Sequence, residues 1–146
     1  MHYGAIMNSL AHALLAAVLY TVLGLVLLLL GAILVDLLTP GRLRHQVWSE
    51  RNRNAAIVLS SALLAIGAIT FTAIMTSDED LVRGLLSAGI LGVLGLALMA
   101  GVFWLLDMLT PGKLGTIIVD PDPHPAVWVT ACSNLAVAAI VCASIA

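Results

Sequence analysis

Four stretches of this chain carry no Asp, Glu, Lys or Arg, and each is long enough to cross a bilayer. They are Met1–Val35, Asn54–Ser77, Gly84–Leu106 and Pro123–Ala146. A crossing needs about 20 apolar residues. Lipid offers no hydrogen bonds, so each stretch must satisfy its own backbone, and lone strands would leave their edges unpaired. The expected fold is therefore all-α, an integral membrane protein of four transmembrane helices. Composition agrees. The chain is 62% hydrophobic and 10% charged, where soluble domains run at about 25% charged. So little polar surface excludes a soluble particle. No basic patch of the kind nucleic acid requires is present. The first apolar run lacks a basic leader and is far longer than the roughly 7–15 apolar residues of a cleaved signal, so it is expected to remain as a span.

The spans fall into two tandem copies. Asp36-Leu37-Leu38-Thr39-Pro40-Gly41-Arg42-Leu43 returns as Asp107-Met108-Leu109-Thr110-Pro111-Gly112-Lys113-Leu114, offset by 71 residues. Val22-Leu23-Gly24-Leu25 returns at the same offset as Val93-Leu94-Gly95-Leu96. Residues 1–76 and 77–146 are thus read as two helical-hairpin repeats of one membrane domain. Each holds an even number of crossings, so the repeats are parallel, unlike the inverted repeats of many transporters.

Orientation follows from Lys and Arg. Arg42, Arg44, Arg51 and Arg53 lie between spans one and two, Lys113 between spans three and four, and Arg83 alone in the remaining connection. The positive-inside bias puts both Thr-Pro-Gly turns in the cytoplasm and both termini outside. Trp48, Trp104 and Trp128 fall on that same side, where indoles favour the headgroup level. In each turn the proline ends the span near Leu38 or Leu109, and the glycine permits the bend. Leu43 with Val47, and Leu114 with Ile118, share a helical face. These pairs predict two short amphipathic segments against the headgroups. Beyond them the copies diverge: Glu50-Arg51-Asn52-Arg53-Asn54 aligns with Pro121-Asp122-Pro123-His124-Pro125, so that Arg53 faces His124.

The doubled Asp-x-Leu-Thr-Pro-Gly-Lys/Arg-Leu, together with Asn52-Arg53-Asn54-Ala55-Ala56, resembles the domain-of-unknown-function 350 family, also called uncharacterised protein family 0719. The resemblance spans nearly the whole chain. It implies a bacterial inner-membrane protein of two-helix repeats and, by genomic association, a link to polyamine chemistry or envelope stress.

The candidate functional residues follow from these motifs. Asp36 and Asp107 are carboxylates at the ends of apolar runs. Ionisable groups there are functional candidates, either handling a cation or proton, or fixed structurally by the turn or by Arg42 and Lys113. An acid at a helix C-terminus opposes the macrodipole by about 0.3–1 kcal/mol, which argues for a specific partner. Thr39, Pro40 and Gly41, with Thr110, Pro111 and Gly112, are read as turn-shaping. Ser60, Ser61, Ser87, Ser133 and Asn134 are polar within spans, and the Asn134 amide in lipid demands a partner, most simply on a neighbouring helix. Gly84, Ala88 and Gly92 form a small-residue stripe suited to close helix approach or self-association. Cys132 and Cys142 lie about 15 Å apart along one helix, beyond disulfide reach, and are read as small buried hydrophobes. No histidines share metal-ligand spacing, and no nucleophile has an adjacent base. Neither metal, cofactor nor catalysis is expected. The leading expectation is a non-enzymatic, homo-oligomeric scaffold module in the bilayer, with a cytoplasmic protein docking on Arg42–Asn54. The alternative is a channel or transporter for protons, cations or small amines, using Asp36 and Asp107.

Overall fold

Helices that are apolar on every side are the shape a chain takes when lipid is its solvent, and the computed structural model is all-α among its described residues. It describes every residue except 1, 40–42, 78–79, 110–113 and 121, and for 2–8, 44, 109, 114 and 115 the backbone alone. The order is α1 (His2–Leu38), α2 (Leu43–Trp48), α3 (Arg53–Met75), α4 (Leu81–Leu109), α5 (Leu114–Val119) and α6 (Ala126–Ile145). Long, short, long occurs twice. Four of these helices, α1, α3, α4 and α6, are long and apolar enough to cross a membrane. The 23 residues of α3 span about 34 Å, close to the ~30 Å of a hydrocarbon core.

The centre of the bundle is α3. It packs most extensively on α6 and also on α1 and α4. Its buried face is built from small and β-branched residues, Ala55, Val58, Ala62, Ala65, Ile66, Ile69 and Ala73. In lipid there is no hydrophobic force between helices, so close packing and hydrogen bonds hold them. Glycines permit that approach. A methyl group at Gly31 would run into Ile66 of α3, at Gly92 into Leu27 of α1, and at Gly95 into Ile69 of α3. The two copies of the Val-Leu-Gly-Leu motif therefore converge: Gly24 lies against Thr70 and Gly95 against Ile69, neighbours on α3. The Gly84-Ala88-Gly92 stripe is buried within the chain, with Gly92 against Leu27 of α1.

Register along the bundle is set by named contacts. Tyr20 Oη lies 2.9 Å from Ser77 Oγ, Gly24 packs on Thr70 and Gly31 on Ile66, so α1 and α3 are antiparallel. Leu23 meets Gly89 and Leu27 meets Gly92, so α1 and α4 run parallel. By this register α4 begins level with Leu15 and Ala16. The α1 residues before that point extend beyond the bundle, about 20 Å of helix at ~1.5 Å per residue. Leu10, Leu14, Leu15 and Val18, on and beside this arm, are half or more exposed.

The short helices differ from the expectation of surface-lying segments. Leu43 of α2 and Ile118 of α5 are among the most buried side chains in the molecule, because each short helix tucks under the end of α3. Leu43 and Val47 share the face predicted for α2, and Leu43 and Ile118 plug the end of the bundle; the side chain of Leu114 lies outside the described residues. Val47 is partly buried against the core. Cys132 also departs from expectation. It is exposed and Cys142 only half-buried, both as free thiols, because α6 turns Val127, Ala131, Asn134, Ala138 and Val141 toward the core.

Candidate functional site

The polar chemistry gathers at the end of the bundle that holds α2 and α5. Three devices position it. Arg51, at φ 53°, takes the left-handed conformation and turns the chain sharply after α2. Asn52 N–H then donates to Gln46 O at 2.9 Å. Asn52 Oδ1 caps α3 by accepting from the N–H groups of Asn54 at 2.9 Å and Ala55 at 3.2 Å, the ordinary N-cap arrangement.

The same Asn52 reaches into the second repeat. Its Nδ2 donates to Val119 O at 2.9 Å, with Ile118 O and Asp120 O at 3.2 and 3.3 Å. Asn54 Nδ2 donates to Asp120 O at 2.9 Å and Asp122 O at 2.8 Å. His124 N–H approaches Asn54 Oδ1 at 3.5 Å. Helix C-termini leave carbonyls without intrahelical partners, and the two asparagines satisfy those at the end of α5. Asn52 is 5% exposed and Asn54 2%, so the bonds are shielded from competing water. Asn-Arg-Asn is thus a clamp that fastens the first repeat to the second. Sequence reasoning noted the motif without its role. The available signal was two amides flanking an N-cap position.

Asn134 is buried in the middle of the bundle, and its Nδ2 donates to Ser61 Oγ at 3.1 Å. Ser61 in turn donates to Val58 O at 2.8 Å. This is the interhelical partner that an amide in lipid demands. Asn134 also lines a cavity of about 20 Å³ between α1, α3, α4 and α6, walled otherwise by Gly31, Val35, Ile66, Leu96 and Phe103. That is room for about one water.

The aspartates are not brought together in one pocket. Asp36 is half-buried and lines a groove of about 270 Å³ with Ile33, Leu43, Trp48, Leu59 and Leu63. Asp107 is half-buried and does not line that groove. Because Gly31 packs against Leu96, Asp36 falls level with Gly101, and Asp107 lies further along the axis. Thr39 is buried at 2% exposure, and its hydroxyl, like the Gln46 side-chain oxygen, has no hydrogen-bond partner among the described residues. The candidates Pro40, Gly41, Arg42, Thr110, Pro111, Gly112 and Lys113 lie outside the described residues. His45 Nδ1 and Glu50 Oε1 are 3.1 Å apart but well exposed, so the pair contributes little. Trp48, Trp104 and Trp128 are all exposed and all sit near this end.

Comparison with known proteins gives one consistent result. The Domain of Unknown Function family DUF350 matches residues 9–145. The UPF0719 transmembrane proteins of Mycobacterium bovis and Mycobacterium tuberculosis are each 34% identical over 139 residues, covering 95% of this chain and 91% of the relative. The UPF0719 transmembrane protein of Mycolicibacterium paratuberculosis is 32% identical, covering 95% of this chain and 92% of its own. No solved structure gives a significant match.

Proposed function

Starting from a chain that belongs to the DUF350 family of transmembrane proteins, we propose a non-enzymatic module of the bacterial inner membrane that works as a homo-oligomer. The arm of α1 carries this reading. The contact of Tyr20 with Ser77 marks where the bundle ends, beside the charged turn that contains Asp80 and Arg83. Beyond it the arm continues, carrying Leu10 and Leu14, which are 55% and 67% exposed. The apolar stretch Ser9–Leu38, 30 residues long, exceeds the ~20 residues of a crossing, and apolar surface left past the hydrocarbon needs a cover. A second arm of the same kind supplies one without burying any charge, since the arm holds no Asp, Glu, Lys or Arg. Both termini then lie outside the cytoplasm. The cytoplasmic end presents the exposed Arg51 and Arg53 for an acidic protein partner, consistent with a role in envelope maintenance.

The interior supports assembly over passage of an ion. The cavity that Asn134 lines between the four spans is about 20 Å³ and otherwise apolar. Native mass spectrometry of the detergent-solubilised protein tests the reading. The expected result is a multiple of the 15.2 kDa chain that collapses to one chain in Leu10→Asp/Leu14→Asp. A wild-type protein that is monomeric throughout, or an oligomer indifferent to both changes, overturns it.

A further inference from the structure

A cleft of about 250 Å³ opens beside the asparagine clamp, where α3 and α6 begin. Its walls are Arg53, Asn54 and Ile57 from one repeat and Pro123, His124, Pro125 and Trp128 from the other. Shifted by the repeat offset of 71, Arg53 coincides with His124, Asn54 with Pro125 and Ile57 with Trp128. The cleft is therefore lined by matching positions of the two copies, with a guanidinium from one and an imidazole from the other. Arg53 and His124 are exposed, and Arg53 has no carboxylate partner among the described residues. The nearby acids do not line the cleft; the exposed Asp120 carboxylate accepts the N–H of Asp122 at 3.0 Å. His124 Nδ1 accepts the N–H of Ala126 at 3.1 Å, which leaves Nε2 to carry the ring proton and donate outward. The N–H groups of Asn54, Ala55, Ala126, Val127 and Trp128 are already bonded, so the side chains, not the helix ends, make this place attractive to an anion.

From the same Trp128 a furrow runs down the outer face of α6, lined by Val129, Cys132, Ser133 and Ala136. The small residues at 132, 133 and 136 create it. It covers about 12 Å of helix and heads toward the hydrocarbon core. A cationic pocket at the interface, joined through one indole to an apolar track into the membrane, matches an amphipathic anion. We propose that the cleft and furrow together bind an anionic glycerophospholipid. Its phosphate takes the Arg53 guanidinium, suited to bidentate contact with phosphate oxygens, and the His124 Nε2–H. The Trp128 indole lies at the glycerol level, where tryptophan is favoured. One acyl chain follows the furrow.

Native mass spectrometry with added phosphatidylglycerol or phosphatidylcholine provides the test. The purified protein is expected to retain phosphatidylglycerol several-fold more than phosphatidylcholine. Arg53→Gln, an exposed change, abolishes the preference, whereas Arg83→Gln at the opposite end leaves it intact. Ala136→Phe fills the furrow and lowers retention of both lipids without altering helicity. Equal retention of the two lipids by wild type overturns the proposal, as does indifference to Arg53→Gln or to Ala136→Phe. Displacement of phosphatidylglycerol by millimolar inorganic phosphate also overturns it, since the site then serves a soluble anion. The oligomer experiment leaves this result untouched, because the arm and the cleft lie at opposite ends.

Discussion

Asn54 and Thr39 are both buried polar residues of the same bundle end, and their predicted behaviour is opposite. Asn54 donates to the carbonyls of Asp120 and Asp122. Asn54→Ala removes both bonds, leaving Asp120 O only the longer contact with Asn52 Nδ2 at 3.3 Å, and is expected to cost about 1–3 kcal/mol. Thr39 has a hydroxyl with no partner among the described residues. Thr39→Val keeps the shape and removes an unsatisfied group, so stability should hold or rise slightly. Thermal aggregation of the detergent-solubilised variants, followed by size-exclusion chromatography, checks both. A destabilised Thr39→Val beside an unaffected Asn54→Ala contradicts the hydrogen-bond assignment. The difference was not legible in the sequence. Thr39 belongs to the doubled motif and drew notice, whereas the partners of Asn54 lie 66 and 68 residues away. Asn134 was more legible: an amide in lipid demands a partner by its chemistry alone, and Ser61 supplies it.

At the scale of elements, charge-free length located all four long helices, because a charge in hydrocarbon is costly enough to mark each boundary. The short α2 and α5 were legible as shared apolar faces, but not their depth, since only the fold brings Leu43 and Ile118 under α3. Glycine divides in the same way. A Cβ at Gly95 meets Ile69, while one at Gly67 meets nothing within 4 Å. Gly95→Ala is expected to lose about 1–3 kcal/mol through overpacking, and Gly67→Ala to gain about 0.4–1 kcal/mol by restricting the unfolded chain. Denaturation in mixed micelles followed by circular dichroism measures both. Equal effects of the two substitutions contradict the helix contacts described.

For the whole molecule, the repeat announced two hairpins of the same direction, and the parallel contacts of α1 with α4 are in keeping with that. It did not announce that the copies pack unequally, with α3 central and α1 overhanging. That asymmetry arises because Gly31 and Gly95 both admit side chains of α3, while the arm of α1 extends past the start of α4. The account rests on α2 and α5 occupying one face of the membrane and the arm the other. Labelling with a membrane-impermeant thiol reagent decides this most directly, using single cysteines in a background lacking Cys132 and Cys142. His12→Cys is expected to react in intact cells, and Ser49→Cys and Asp122→Cys only after the membrane is opened. Reaction of Ser49→Cys and Asp122→Cys from opposite faces would contradict the fold itself.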